Sequence, residues 1–332
     1  MTDRLRCAAV SSYYGISSAA IAMQHRKMSV LHFHSQQRIG KPVLLIPALI
    51  GRSYVLDLYA GGSLVEYLCS NGYDVFMLDW GIAGDEDSSL SLQEILMSYI
   101  APAIERIRGE VALESAVSIV GYCMGGTLAV LYAAVAGLRA GDNLVLLAAP
   151  VDFAQGGLLA KWCQKDYLDI DKVVAVFGNV PAHIVEAIFT LLRPTGKLRA
   201  ALAFSANSSD RSARTAFAAM DRWVNDWVPF PGAAAKEWIK WLYQDNLLIR
   251  NALYLGGRLV ELHAISAPLL CVAAPGDAIV PAASSRALLG AVSSSDKTYR
   301  EVSGGHIGMV AGRDARRNLW TPLHEWLLHH SA

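Results

Sequence analysis

The chain has 332 residues, 53% of them hydrophobic, enough to bury one large core with a sizeable insertion and too apolar for a disordered chain. Its 29 basic and 29 acidic side chains cancel, so no global field draws nucleic acid or an anionic membrane, and a charged substrate must be held locally. Cys7, Cys69, Cys123, Cys163 and Cys271 form no CxxC pair and no metal-ligand spacing, which predicts reduced thiols in the cytoplasm and no metal centre.

Along the chain, Arg4 and Arg6 precede an apolar stretch that "SSYYG" interrupts before a signal-peptide core can form. "PVLLIPAL" (Pro42–Leu49) reads as a buried strand, Gly62–Ser70 as helical, and "DVFMLDW" (Asp74–Trp80) as a second strand. "LQEILMSYIAPAIERI" carries the apolar spacing of a helix. Ala116–Leu138 holds no charge over a length that could cross a bilayer. Its texture instead reads as a strand ("AVSIV"), a glycine turn ("GYCMGG") and an alanine-rich buried helix ("TLAVLYAAVAGL"), so no transmembrane span is expected. "NLVLLAAP" (Asn143–Pro150) and "PLLCVAAP" (Pro268–Pro275) are two further apolar runs closed by proline.

This alternation predicts an α/β fold with a mostly parallel central sheet flanked by helices. The stretch between the last two strands is far longer than a crossover helix needs. It predicts a core made of residues 1–150 and 266–332 with a mainly helical cap, 151–265, inserted between them. Trp162, Trp223, Trp227, Trp238 and Trp241 fall in that insertion, either as the cap's own core or as the lining of an apolar substrate channel.

A strand, then Gly121-Tyr122-Cys123-Met124-Gly125-Gly126, then a helix has the layout of a nucleophile elbow, with cysteine where many hydrolases carry serine. The amides and dipole at the start of the helix favour thiolate at Cys123. A thiolate needs a base and the base an orienting acid, which in this architecture follow in the order acid, then histidine. "AAPGDAIVP" supplies Asp277 after a strand, and "EVSGGHIGMV" supplies His306 in a glycine-flanked loop. His25, His32, His34, His183, His263, His324, His329 and His330 lack such a setting and read as structural or surface residues. The oxyanion donors expected are the backbone N–H of Met124 and one from the loop after the first strand, near Leu49. "GYCMGGT" lacks the lysine of a phosphate-binding loop, and nothing points to a flavin, nicotinamide or other cofactor.

Together "LLIPALIGRSYVLDL", "DVFMLDWG", "GYCMGG", "LAAPVDF", "FGNVP", "WIKWLYQDNLL", "GDAIVP" and "SGGHIGMV" resemble the polyhydroxyalkanoate synthases, cysteine-dependent members of the α/β-hydrolase superfamily. The short length, "DWG" and "FGNVP" are most similar to the class whose catalytic subunit works with a second subunit. Ala278 stands where those synthases commonly have histidine after the aspartate. The resemblance implies polymerisation of (R)-3-hydroxyacyl-CoA to a polyester, with release of CoA, through a thioester on Cys123. It implies a homodimer or a hetero-oligomer with a second synthase subunit, at the surface of cytoplasmic polyester granules, with CoA thioester as substrate and no cofactor. Either His306 or Asp277 could then deprotonate the 3-hydroxyl that extends the chain. A thioesterase using the same triad, or a non-catalytic scaffold that binds granules or a partner, are the alternative readings.

Overall fold

The computed structural model describes residues 13–111, 116–193 and 210–331; Arg4, Arg6 and Cys7 lie outside them. Eight strands form one sheet: β1 (Ala20–His25), β2 (Met28–Phe33), β3 (Val43–Ile46), β4 (Val75–Asp79), β5 (Ser118–Tyr122), β6 (Asn143–Leu147), β7 (Leu269–Ala273) and β8 (Lys297–Glu301). Their order across the sheet is β1-β2-β4-β3-β5-β6-β7-β8. From β4 to β8 every pairing is parallel, while β1 and β2 run antiparallel at one edge.

Strands β3 to β7 are buried at every position, because both faces of the sheet are covered by helices. Each leucine, isoleucine or valine moved from water into that core contributes about 1.5–3 kcal/mol, which is why these runs carry so little polarity. The helices include α1 (Leu64–Ser70), α2 (Ala101–Val111) and α3 (Met124–Val135). Ser63 caps α1 by accepting from the Glu66 N–H at 2.8 Å, so the predicted helical stretch begins only after Gly62 and Ser63, which form a short strand. The predicted helix starting at Leu92 runs to Val111 with a π-helical segment, Ile95–Ile100, inside it.

The segment that reads as a membrane-length apolar run is β5 followed by α3. At 12 residues α3 is about 18 Å long, well short of the ~30 Å of a bilayer core. Among the described residues no helix is long and apolar enough to cross a membrane.

Between β6 and β7 the chain forms α4 (Gly157–Trp162), α5 (Ile170–Phe177), α6 (Ala182–Leu192), α7 (Arg211–Val224) and α8 (Gly232–Glu237), with a π-helical turn at Trp238–Gln244. This segment is tied back to the loop after β3 through the bridge between Gly51 and Trp227 and through the Val228 N–H, which donates to the Ile50 carbonyl at 3.4 Å.

Candidate active site

The parallel register aligns strand ends, and the site is assembled at those carboxyl ends. Residue pairs Ile46–Gly121 and Tyr122–Leu147 lie side by side across β3, β5 and β6, so the loop after β3 and the turn after β5 emerge together. Asp277 follows β7, and His306 follows β8.

Cys123 sits at φ 55° and ψ −124°, a backbone conformation that costs an L-residue about 1–3 kcal/mol and lifts its side chain above the sheet. The surrounding glycines permit it by removing bulk. A Cβ on Gly121 would lie 2.4 Å from the Gly126 Cα, and one on Gly125 would lie 1.9 Å from the Ile46 carbonyl oxygen. The Cys123 N–H donates to the Leu147 carbonyl at 2.9 Å, fixing the turn to β6. Because Met124 opens α3, its own N–H has no acceptor within the helix.

His306 and Asp277 are both buried and meet at 2.6 Å between Nδ1 and Oδ2. The other carboxylate oxygen accepts from the N–H groups of Ile279 and Val280 at 2.8 and 2.9 Å, so neither oxygen of Asp277 is left unused. The two loops touch through their glycines: a Cβ on Gly276 would stand 2.6 Å from the carbonyl oxygen of Gly304. His306 also hydrogen-bonds Cys123, which leaves Nε2 as the ring nitrogen facing the thiol. Burial alone would push His306 down. Cys123 and Asp277, through charge and hydrogen bonds, outweigh it and push the imidazole up to about 10.

Tyr122 was not among the residues the sequence singled out. Its hydroxyl donates to the His306 carbonyl at 3.0 Å, and its ring lies 5.2 Å from the imidazole, centroid to centroid. The partners are 184 positions apart, and no local pattern announces such a contact.

Cys123 and His306 open into a cavity of about 520 Å³. Its walls are mostly apolar and include Ile50, Val55, Phe189, Met220, Trp223 and Trp227, with Arg193 as a cation. The five tryptophans divide between two settings. Trp223 and Trp227 line the cavity, Trp227 stacking on Phe189 at 4.6 Å. Trp238 instead packs inside against Phe153, and Trp162 and Trp241 lie half-buried against the core. Ala48 lines this cavity, whereas Leu49 faces a different one beside Trp80 and Tyr99. Ala278 is exposed next to the buried Asp277.

Of the remaining histidines, His25 packs on Tyr99, His324 approaches the Tyr73 hydroxyl, and His330 pairs with Asp296 at 2.8 Å and packs against His329. His183 and His263 do not line the cavity. His32 and His34 stand together on β2 and beyond its end, away from the site.

Residues 41–312 match the family model described as the α/β hydrolase fold. The poly(3-hydroxyalkanoate) polymerase subunit PhaC of Allochromatium vinosum is 31% identical over 290 residues, covering 86% of this chain and 80% of that one. The corresponding subunit of Haloferax mediterranei is 30% identical over 315 residues, 94% of this chain, but the chain spans only 64% of that relative's length. Among solved structures, a soluble variant of the monoglyceride lipase of Saccharomyces cerevisiae superposes with a TM-score of 0.57 at 14% identity, over 97% of each chain, a likeness of fold. On these matches the chain belongs to the poly(3-hydroxyalkanoate) polymerase PhaC family within the α/β-hydrolase fold.

Proposed function

We propose that this chain polymerises (R)-3-hydroxyacyl-CoA into polyhydroxyalkanoate, releasing CoA, with Cys123, His306 and Asp277 as its catalytic residues. The observation that carries the reading is a buried Cys–His–Asp series at the floor of an apolar cavity, in a chain of the PhaC family.

In this reading the Cys123 sulfur attacks the thioester carbonyl, and His306 holds the thiol proton as imidazolium. The carbonyl oxygen becomes an oxyanion held by the Met124 N–H and by an amide of the Ala48–Leu49 loop, each donor worth about 3–4 kcal/mol. Collapse expels CoA, which takes the proton from His306 and leaves the acyl group on sulfur. The 3-hydroxyl of another unit then attacks that thioester. Its proton goes to His306 rather than Asp277, because both oxygens of Asp277 are already engaged. Thiolate leaves readily, so cysteine keeps the chain on a good donor where serine would not.

Residues 151–265 form the cap in this reading, with 1–150 and 266–332 as the core. Cys123 is only 9% exposed, so acyl-CoA reaches it through a movement of the cap, and a second subunit that favours the open form raises activity without touching the triad. The same reading places the protein at the surface of polyester granules.

Incubation of the purified chain with 3-hydroxybutyryl-CoA, alone and with the protein encoded beside it, tests the proposal. CoA release with polymer is expected, after a lag when the chain is alone. CoA release with free 3-hydroxybutyrate would make it a thioesterase, and no release under either condition would make it a scaffold.

A further inference from the structure

Far from the cysteine, on the antiparallel edge of the sheet, two histidines and an aspartate converge. In the β2–β4 register His32 lies opposite Phe76 and Phe33 opposite Val75, which sets His34 opposite Asp74. Residues two apart on a strand share a face, so His32, His34, Asp74 and Phe76 cluster on one side. His32 stacks on Phe76 at 4.0 Å and against His34 at 3.7 Å, centroid to centroid. Among the described residues, these are the three whose ligand atoms, one from each, all lie within 4.8 Å of one another.

A packed histidine cluster needs no ligand, but the buried Nε2 of His32 is poorly served by packing alone. His32 is 1% exposed and Asp74 is 2% exposed. At 3.6 Å, His32 Nε2, which has no hydrogen-bond partner, faces Asp74 Oδ2, which ion-pairs with Arg38 Nε. That separation is too long for a hydrogen bond. It is close to the edge of a tetrahedral site, where bonds of 2.0–2.2 Å to nitrogen and oxygen set ligand atoms about 3.4 Å apart.

The surroundings resemble the support that metal ligands receive. Asp74 Oδ1 accepts the Ser35 N–H at 2.9 Å, fixing the carboxylate. Behind His32, Nδ1 faces Glu110 Oε1 at 3.7 Å, and the second oxygen of Glu110 is buried without a hydrogen-bond partner. A carboxylate behind the ring favours the proton on Nδ1 and so turns the Nε2 lone pair toward Asp74. A lone pair facing a carboxylate calls for a cation between them. Arg38, half-exposed, ion-pairs with that same oxygen of Asp74, so a metal would have to displace its guanidinium. His34 is exposed and leaves an approach from solvent.

We propose that His32, His34 and Asp74 bind one divalent transition-metal cation of the zinc type, with solvent in the remaining position. Two imidazoles and a carboxylate suit zinc or cobalt better than magnesium or calcium, which prefer oxygen ligands. Such an ion would pin β2 to β4, two strands away from β5 and its nucleophile.

The test uses the full chain without a histidine tag and with Cys123→Ala, so that the active-site thiol cannot hold metal. Metal-free protein is titrated with Co²⁺ and followed by its visible absorption, then challenged with Zn²⁺. One equivalent is expected to bind with a tetrahedral cobalt spectrum that Zn²⁺ bleaches. His34→Ala, at an exposed position, should weaken binding at least tenfold while the circular dichroism stays unchanged. Absence of stoichiometric binding, or undiminished binding by a folded His34→Ala chain, would overturn the proposal. The gap between His32 and Asp74 would then be a place for water.

Discussion

Two buried histidines in this molecule each face a buried carboxylate, and they end in opposite charge states. His306 lies 2.6 Å from Asp277 and hydrogen-bonds Cys123 as well, and it is pushed up to about 10. His32 lies 3.6 Å from Asp74, and burial with help from His34 pushes it down to about 4. Burial lowers both, so burial does not separate them. What separates them is how many anions oppose burial: Cys123 and Asp277 both do at His306, whereas at His32 Asp74 alone does, against a second histidine and Arg38 that repel a proton. A histidine–carboxylate pair becomes a charged acid–base device only when the gap closes and a second anion joins.

The largest expected effect comes from removing that second anion. Cys123→Ala should drop CoA release and acyl labelling at least about a thousandfold, since the nucleophile itself is lost. Near-normal turnover in that variant would break the whole reading of the site.

Replacing the base is the next test. With His306→Ala, single-turnover acylation should fall at least about a hundredfold for want of a proton acceptor. The raised imidazole also has a stability signature. A group pushed above its ordinary 6.5 contributes fully below that pH and loses its contribution as pH climbs through about 10. The melting temperature of the parent should therefore fall more steeply between about pH 6.5 and 10 than that of His306→Ala. Parallel slopes would show that the closed pair holds no extra proton.

Asp277→Asn tests whether closing the gap requires charge or only contact. The amide can still accept from Ile279 and Val280, so the fold should survive, while turnover drops about a hundredfold because the imidazolium loses one of its two anions. Full activity in this variant would reduce Asp277 to a turn residue.

The smallest effect belongs to Tyr122, which holds the backbone behind the imidazole without touching the reacting atoms. Tyr122→Phe leaves a buried carbonyl unpaired, a cost of about 1–3 kcal/mol. It should lower kcat several-fold with KM unchanged and shift the pH profile of kcat. A loss confined to thermal stability would make the contact structural only.

Much of this architecture was legible in the chain because apolar runs closed by glycine or proline announce buried parallel strands. "PVLLIPAL", "DVFMLDW", "NLVLLAAP" and "PLLCVAAP" each contain one, and the helix from Leu92 followed from its spacing. The edges were not legible. β8, "KTYRE", is largely exposed, and β1 and β2 carry histidines and a glutamine among their apolar residues, so none reads as an unbroken apolar run. Cys123, Asp277 and His306 stood out because each sits in a turn at the end of a strand, a local signal. Tyr122 did not, because its partner is reached only through the fold. The loop after β3 lines the cavity through Pro47, Ala48 and Ile50, on either side of Leu49.

The burial of α3 bears on how the molecule opens. Ten residues of that helix are buried, from Met124 through Ala133, and β5 before it is buried throughout. Amide hydrogens there should exchange with solvent only when the whole domain unfolds, whereas those of α7, where Trp223 alone is buried, should exchange through local opening. Cys123 is thus anchored at the start of a deeply buried helix, and Trp223 sits on a mostly unburied one. A polyester that lengthens inside the cavity would displace the second without disturbing the first.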